Sequence, residues 1–547
     1  MARMSSRRLI RAAALAVCAS AVFAGPGVAA EPGYPAVDRR YHSYPEMAAD
    51  IHAEAAAHPS IVRVFSIGDS YQGRAIWAAE VSDRVGVDEG EPEVLFDGLH
   101  HAREHLSAEE SLSILHLLAD HYGHTDALGR RVTRIVNTRR VWIIFMVNPD
   151  GLEKDLAGGP YGGGHYAGWR KNVQPTLHSK AIGTDIKRNY GYDWGCCGGS
   201  SGDPRSDMYR GPRAWSTPEA RAVRDFVLSR VVNGRQRIRT HITFHTAGQQ
   251  VLWPYGHTYR DLPSDMTALD RRTFVKLGRH MAATNGYTPM QSSGLYITDG
   301  DEIDWLYGAQ RIFSFTFEMY PANGAVAGYR SDYPPDEIIG RETRRNQEAV
   351  LYLMEMADCP YRAIGLQAAY CGPFFDDLEM DRGWTVDAGG KDTATAGAWA
   401  RGVARASTFQ LGGATSGEGV LVTGRAVATD VDGGSTSVRS PTFKLPAGKA
   451  ATLHLRYWVG LDADAGAADG LTVRLVSKAT GAVVATALEV HGDGHVHAPA
   501  WRSLTFAIPD TLGGSHLAVE LVASDAGPSD ATVEAAVDDV RVTASAP

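Results

Sequence analysis

Positive charge is in short supply in this 547-residue chain: 54 Lys and Arg stand against 63 Asp and Glu, for a formal charge of −9. That balance speaks against general nucleic-acid affinity. Long apolar runs are missing too. Past residue 24 none reaches the length of a membrane helix, so no membrane partner is expected. Cysteine is sparse, five in all, and none follows Cys371. No repeat of solenoid period is visible. What remains, 44% hydrophobic and 21% charged residues, describes a soluble globular protein with room for two or three domains.

The first thirty residues are different in kind. Arg3, Arg7, Arg8 and Arg11 precede an apolar stretch from Ala12 to Ala24, and Val28-Ala29-Ala30 has the small-residue pattern of a cleavage site. Residues 1–30 thus read as a secretory signal peptide, and a secreted, extracellular protein is expected. Both the general and the twin-arginine export routes stay open for Ser6-Arg7-Arg8. Cutting after Ala30 removes four arginines and no acid, so the released chain is more acidic still. Of its four cysteines, Cys359 and Cys371 would clip the end of a first domain, whereas Cys196-Cys197 either bridge or stay reduced.

A short segment, 31–40, leads into a region of alternating strand-like runs and amphipathic helices, 41–362, the pattern of an α/β fold. The runs Val94–Phe96, Val141–Val147, Ile242–Phe244 and Ile312–Phe317 read as buried strands, each ending in polar groups: His101, Asn148-Pro149-Asp150, His245 and Glu318. In open α/β sheets ligands bind beyond the carboxyl ends of the strands. A helix is expected over Ser107–Tyr122, opened by a capping box from Ser107 to Glu110. After a linker, 363–374, the composition turns to Gly, Ala, Thr and Asp. Runs at Leu453–Val459, Leu471–Val476, Leu504–Ile508, Leu517–Val522 and Val533–Val542 predict a β-sandwich over 375–547.

Only one of the 20 histidines, His101, has a glutamate three residues on, Glu104. An imidazole and a carboxylate at that spacing can share a metal ion, and His245 is the candidate third ligand from far along the chain. Three protein ligands with a fourth position left for water are the make-up of a catalytic zinc. Hydrolysis there also needs a base and a cation at the developing oxyanion. Glu318, ending an apolar strand, is placed as the base, with a pKa raised by its surroundings. Trp169-Arg170-Lys171 supplies a cation, and Arg188 can clamp a free chain end in bidentate fashion.

His101-Ala102-Arg103-Glu104, Asn148-Pro149-Asp150-Gly151, Trp169-Arg170-Lys171, Arg188-Asn189-Tyr190, His245 and Phe315-Thr316-Phe317-Glu318 resemble, in order and context, the zinc carboxypeptidase A/B family. His100 to His105, Gly195-Cys196-Cys197-Gly198-Gly199 and Leu295-Tyr296-Ile297-Thr298 are similar to the bacterial carboxypeptidase T branch. The resemblance implies a mixed twisted sheet with helices on both faces. It implies one Zn2+ on His101, Glu104 and His245, with Glu318 as base and Arg170 as oxyanion stabiliser. Arg188, Tyr296 and Arg103 would contact a peptide or protein C-terminus. Asp301 would stand on the pocket wall and Ile303 at its base, admitting basic and apolar terminal side chains. Asp88, Glu89 and Glu93 resemble calcium ligands of the T-type enzyme.

Two features depart from the family. Lys187 replaces an asparagine of the clamp, so a terminal carboxylate is expected to meet two cations. The long folded propeptide of pancreatic relatives is missing. In the C-terminal domain, Asp376-Asp377-Leu378-Glu379 and Asp538-Asp539 resemble the calcium-bearing ends of jelly-roll modules, which bind polysaccharide or protein. A stabilising appendage is the competing reading. The rival functions are a zinc amidohydrolase acting on N-acyl amino acids or cell-wall peptides, and an inactive binding protein.

Overall fold

The computed structural model describes residues 33–176, 179–232, 234–322, 332–425 and 429–545, and the expected signal segment lies outside them. One eight-stranded sheet is built from β1 (Val62–Asp69), β2 (Ala75–Val81), β3 (Glu93–Gly98), β4 (Arg140–Ile144), β5 (Ile238–Gly248), β6 (Gln250–Trp253), β7 (Thr288–Gln291) and β8 (Phe313–Ala322). Its order is β1-β2-β4-β3-β5-β8-β6-β7. The inner strands β4, β3, β5 and β8 run parallel, while β1, β2 and β6 bring antiparallel pairings, so the sheet is mixed.

Helices cover both faces, as side-chain alternation along the strands requires. Val94 and Phe96 of β3, Ile242 and Phe244 of β5, and Phe313, Phe315 and Phe317 of β8 share one core with α1 (Tyr44–Ala57), α2 (Leu106–His121), α3 (Ala127–Val136), α6 (Ala268–Asn285) and α8 (Ile339–Met356). Leu95, Trp142 and Ile144 turn the other way, onto α5 (Pro218–Ser229) and α7 (Glu302–Gly308). Phe244, Phe315 and Phe317 are fully buried, each worth about 1.5–3 kcal/mol relative to exposure.

The capping box expected at Ser107 is absent. α2 starts one residue earlier, with His105 at its N-cap. Ser107 Oγ is taken up locally instead, accepting from Leu99 N at 2.9 Å and donating to Glu104 O. Glu110 faces inward, where Asn346 Nδ2 of α8 donates to it at 3.2 Å. Both cysteine pairs, Cys196–Cys197 and Cys359–Cys371, are bonded.

Beyond Cys371 two antiparallel sheets face each other. One joins Phe374–Asp376, Trp399–Gly402, Val420–Thr423, Ala451–Leu461, Arg502–Ile508 and Val533–Ala544; the other includes Gly434–Arg439, Gly470–Ser477, Val483–His491 and His516–Asp525. All five expected runs are strands. Val483–His491 escaped notice because it is an edge strand that buries no continuous face. The acidic ends of this domain are engaged by protein groups. Arg382 lies 3.4 Å from Asp376 and 3.7 Å from Asp377, Arg311 lies 3.6 Å from Glu379, and Thr415 and Ser416 donate to Asp538 and Asp539.

Candidate metal centre and substrate cleft

In the parallel ladder Gly98 of β3 pairs with Phe244 of β5, and His245 pairs with Glu318 of β8. The loop after Gly98 therefore leaves the sheet at the level of His245 and Glu318. A Cβ on Gly98 would sit 2.4 Å from Ser107 O, so only glycine lets α2 pack down on the strand end. That packing turns His101 and Glu104 back over the sheet edge.

His101 Nδ1 lies 2.7 Å from Glu104 Oε1, His245 Nδ1 lies 2.8 Å from Glu104 Oε2, and the two ring nitrogens are 3.1 Å apart. All three residues are buried. Two imidazole nitrogens and a carboxylate aimed at one point form a donor set that fits zinc. Burial holds His245 down at about 4, so its ring is neutral and able to ligate. Burial works against the charge of Glu104, yet the two imidazoles hold it well below the usual carboxylate range.

Asp185 completes the arrangement from behind. Its Oδ1 is 3.3 Å from His101 Nε2, and Arg170 Nε donates to its Oδ2 at 3.0 Å. A carboxylate on the far ring nitrogen fixes the tautomer that leaves Nδ1 free for a metal. Asp185 is not among the site residues expected from the sequence; its one local signal is a helix-cap position, since it accepts from Lys187 N at the start of the turn Ile186–Arg188.

The cleft beside this triad is lined by Arg188, Tyr296, Asp301, Thr316 and Glu318, among others. No hydrogen-bond donor among the described residues holds the Glu318 carboxylate, which is half-buried at the cleft wall. Burial, with the Glu104 charge adding to it, pushes Glu318 up to about 8 against the pull of Arg170, Lys187 and Arg188. Arg188 is buried; its Nη2 donates to the Tyr296 hydroxyl at 3.1 Å and its Nε has no partner. Tyr296 stands at the mouth, 41% exposed.

Several expectations need correction. Lys187 borders the cleft but is not a second free cation: its Nζ is 3.0 Å from Glu302 and 3.7 Å from Asp301, with almost no exposure. Burial opposes its charge, but Glu302, Asp301 and Asp97 outweigh that and raise its pKa. Asp301 does line the cleft, and it already has partners there. Its Oδ1 caps α7 by accepting from Ile303 N at 3.1 Å, and its Oδ2 is 3.5 Å from Arg188 Nη1. Ile303 is fully buried and is not among the residues lining the cleft. Arg103 is also outside the lining, held at 3.3 Å from Asp207 and 3.4 Å from Asp332. Asp88, Glu89 and Glu93 do not converge on a calcium position. Asp88 accepts from Gly90 N, Glu89 pairs with Arg84, and Glu93 turns under the sheet to hold Arg230 and the Trp142 indole.

A buried polar network underlies the cleft. His241 sits between Asp97 at 2.7 Å and Ser314 at 2.6 Å, and His100 meets the Tyr190 hydroxyl at 2.9 Å. His105, also buried, is tied to Asp155 at 3.0 Å. None of the three belongs to the triad's donor set, and His100 and His105 flank the segment that carries His101 and Glu104.

A family model described as zinc carboxypeptidase matches residues 47–349. A zinc carboxypeptidase of Saccharothrix mutabilis subsp. capreolus is 43% identical over 325 residues, covering 59% of this chain and 71% of that protein. One of Simulium vittatum is 30% identical over 314 residues, covering 56% and 93%. The structure of thrombin activatable fibrinolysis inhibitor is similar in fold, with a TM-score of 0.50 at 24% identity over 58% of this chain and 74% of that one.

Proposed function

The chain belongs to the zinc carboxypeptidase family, and we propose that it is a secreted exopeptidase that removes single residues from peptide C-termini. As a member of that family it is a zinc-dependent hydrolase. The observation that carries the exopeptidase reading is the meeting, in one cleft, of the His101–Glu104–His245 donor set with Glu318 and with a buried arginine, Arg188, whose Nε is unsatisfied. A cleft that ends in a buried guanidinium suits a substrate whose chain ends in a carboxylate.

Bound by the triad, zinc supplies the Lewis acidity that activates a water and polarises the scissile carbonyl. The chain's own residues do the rest. Arg188 fixes the terminal carboxylate, and Tyr296, already hydrogen-bonded to it, closes the mouth over the last side chain. Glu318 takes the proton of the attacking water and passes it to the departing amine. Its unpaired carboxylate and raised pKa suit both halves of that transfer. Arg170, oriented by Asp185 and 3.8 Å from Glu104, stands beside the triad to stabilise the oxyanion. Asp301, next to Arg188, favours basic terminal side chains, and Leu252 and Leu295 on the same cleft leave room for apolar ones.

The test is incubation with a mixed set of peptides, free and C-terminally amidated, read by mass spectrometry with and without a chelator. Loss of one residue at a time from free C-termini, stopped by the chelator, is expected. Internal cleavage, or loss of acyl groups alone, overturns the reading in favour of an endopeptidase or an amidohydrolase.

A further inference from the structure

The segment Arg235-Gln236-Arg237 leads into β5, whose first residues are Ile238 and Arg239. Arg235, Arg237 and Arg239 all reach one cavity, while Ile238 enters the core. A fourth guanidinium, Arg382, reaches the same place from the C-terminal domain. Together they line a cavity of 330 Å³ at the junction of the two domains.

The charges there do not balance. The carboxylates lining this cavity are Glu91 and Asp358, and Asp358 is already engaged by Arg362 at 2.9 Å and Arg139 at 3.3 Å. Arg382 alone has acids of its own, Asp376 and Asp377. Arg237 donates one Nη1 to Gly90 O at 3.1 Å and leaves its Nε buried without a partner. Arg235 lies over the Phe374 ring at 5.6 Å. Among the described residues, neither Arg235 nor Arg239 has an ion pair or a hydrogen bond from its guanidinium. Burial, then the charges of Arg382 and Arg239, bring Arg235 down to about 10, and burial with Arg382 lowers Arg239 as well. The guanidinium groups of Arg235, Arg237 and Arg239 are thus held close together, partly desolvated, and among the described residues none of the three is paired with a carboxylate.

We propose that this cavity binds a small oxyanion of two negative charges, a phosphate or sulfate group, clasped between the domains by Arg235, Arg237, Arg239 and Arg382. Guanidinium forks converging from both domains match the several oxygens of a tetrahedral anion, and a double charge offsets the guanidinium groups of Arg235, Arg237 and Arg239, which have no carboxylate partner among the described residues. The volume is at the small end of ligand sites, enough for a free ion or for such a group on a small molecule. The site is separate from the peptidase cleft, because Arg239 lies six residues before His245 on the same strand, toward the opposite edge of the sheet.

The experiment uses the full zinc-loaded chain in an anion-poor buffer. Thermal unfolding and calorimetric titration are followed with inorganic phosphate, sulfate and glycerol 1-phosphate, with chloride at equal ionic strength as the reference. Saturable binding with a rise in Tm is expected, with no change in peptidase kcat or KM. Tighter binding of glycerol 1-phosphate marks a group on a larger molecule and equal binding marks a free ion; either supports the site. Arg239→Gln should weaken binding at least tenfold. It should also unfold no lower than the native chain when anion is absent, because it removes a repelling charge; a merely structural arginine would lower Tm. Arg235→Lys keeps the charge and loses the fork, so it should fold normally and bind more weakly. A chloride effect equal to that of phosphate, or an Arg239→Gln chain that still responds fully to phosphate, overturns the proposal.

Discussion

Lys187→Met removes one side of a buried ion pair and tests whether that lysine serves the fold or the substrate. Lys187 Nζ is 3.0 Å from Glu302 Oε2 and 3.7 Å from Asp301 Oδ1, with side chains at most 5% exposed. Leaving a buried carboxylate without its partner costs about 3–5 kcal/mol. Glu302 has one escape, which is to take up a proton. Burial first, and the Asp97 charge next, already raise its pKa well above the ordinary range, with Lys187 the main opposing pull. A carboxyl whose folded value is raised binds its proton more tightly in the fold, so stability falls as pH climbs from the ordinary glutamate value toward the folded one. Without Lys187 the folded value is higher still, and that fall extends further up the pH scale. At pH 5 the variant should therefore lose only about 1 kcal/mol, the worth of a neutral hydrogen bond. At pH 8 it should lose about 3 kcal/mol or more. For a domain of this size that is a Tm drop of roughly 5–10 °C at pH 8 and about 2 °C at pH 5. Thermal unfolding of the zinc-loaded native and variant chains at pH 5, 6.5 and 8 measures it directly. The double variant Lys187→Met, Glu302→Gln should recover most of the loss. A deficit that is flat with pH, or largest at pH 5, refutes the argument. So does a change in the salt dependence of KM without a change in Tm, which would return Lys187 to the substrate.

Three other outcomes follow from the same geometry. Glu318→Gln should lower kcat by about two to four orders of magnitude with bound zinc, measured by atomic absorption, unchanged; a near-normal rate places the base elsewhere. Asp301→Asn keeps a good helix cap but removes the negative charge beside Arg188, so kcat/KM should fall several-fold more for peptides ending in lysine than for those ending in leucine. Equal losses would make Asp301 a structural cap only. Glu110→Gln should raise Tm at pH 8 by about 1–3 °C and leave it nearly unchanged at pH 5. Burial holds the Glu110 pKa well above the ordinary value, so its ionisation opposes folding only as pH rises; a stabilisation that is larger at pH 5 contradicts this.

The chemistry of the triad was legible in the chain because it is local or periodic. His101 and Glu104 are three residues apart, and His245 and Glu318 end apolar runs, so residue types and spacing were enough to bring them forward. The α/β alternation and the five sandwich strands were legible for the same reason. Other features depended on partners far along the chain. Alternation in β5 and β8 puts Phe244, Phe315 and Phe317 on one face and His241, Thr243, Ser314 and Thr316 on the other, and only the packing of the whole sheet buries the polar face as well. Ser107 looked like a helix cap until Leu99 and Glu104 claimed its hydroxyl. Lys187 looked like a substrate cation because nothing near it in sequence announces Glu302, 115 residues later. By itself the sequence brought forward which residues could ligate a metal and where the core strands lie, since those rest on residue type, local spacing and the resemblance of short segments to a known family. The tertiary structure alone decided which charges are already spent and which, at Arg188 and in the arginine cluster at the start of β5, are left to meet something else, because a charge's partner is set by distance in space.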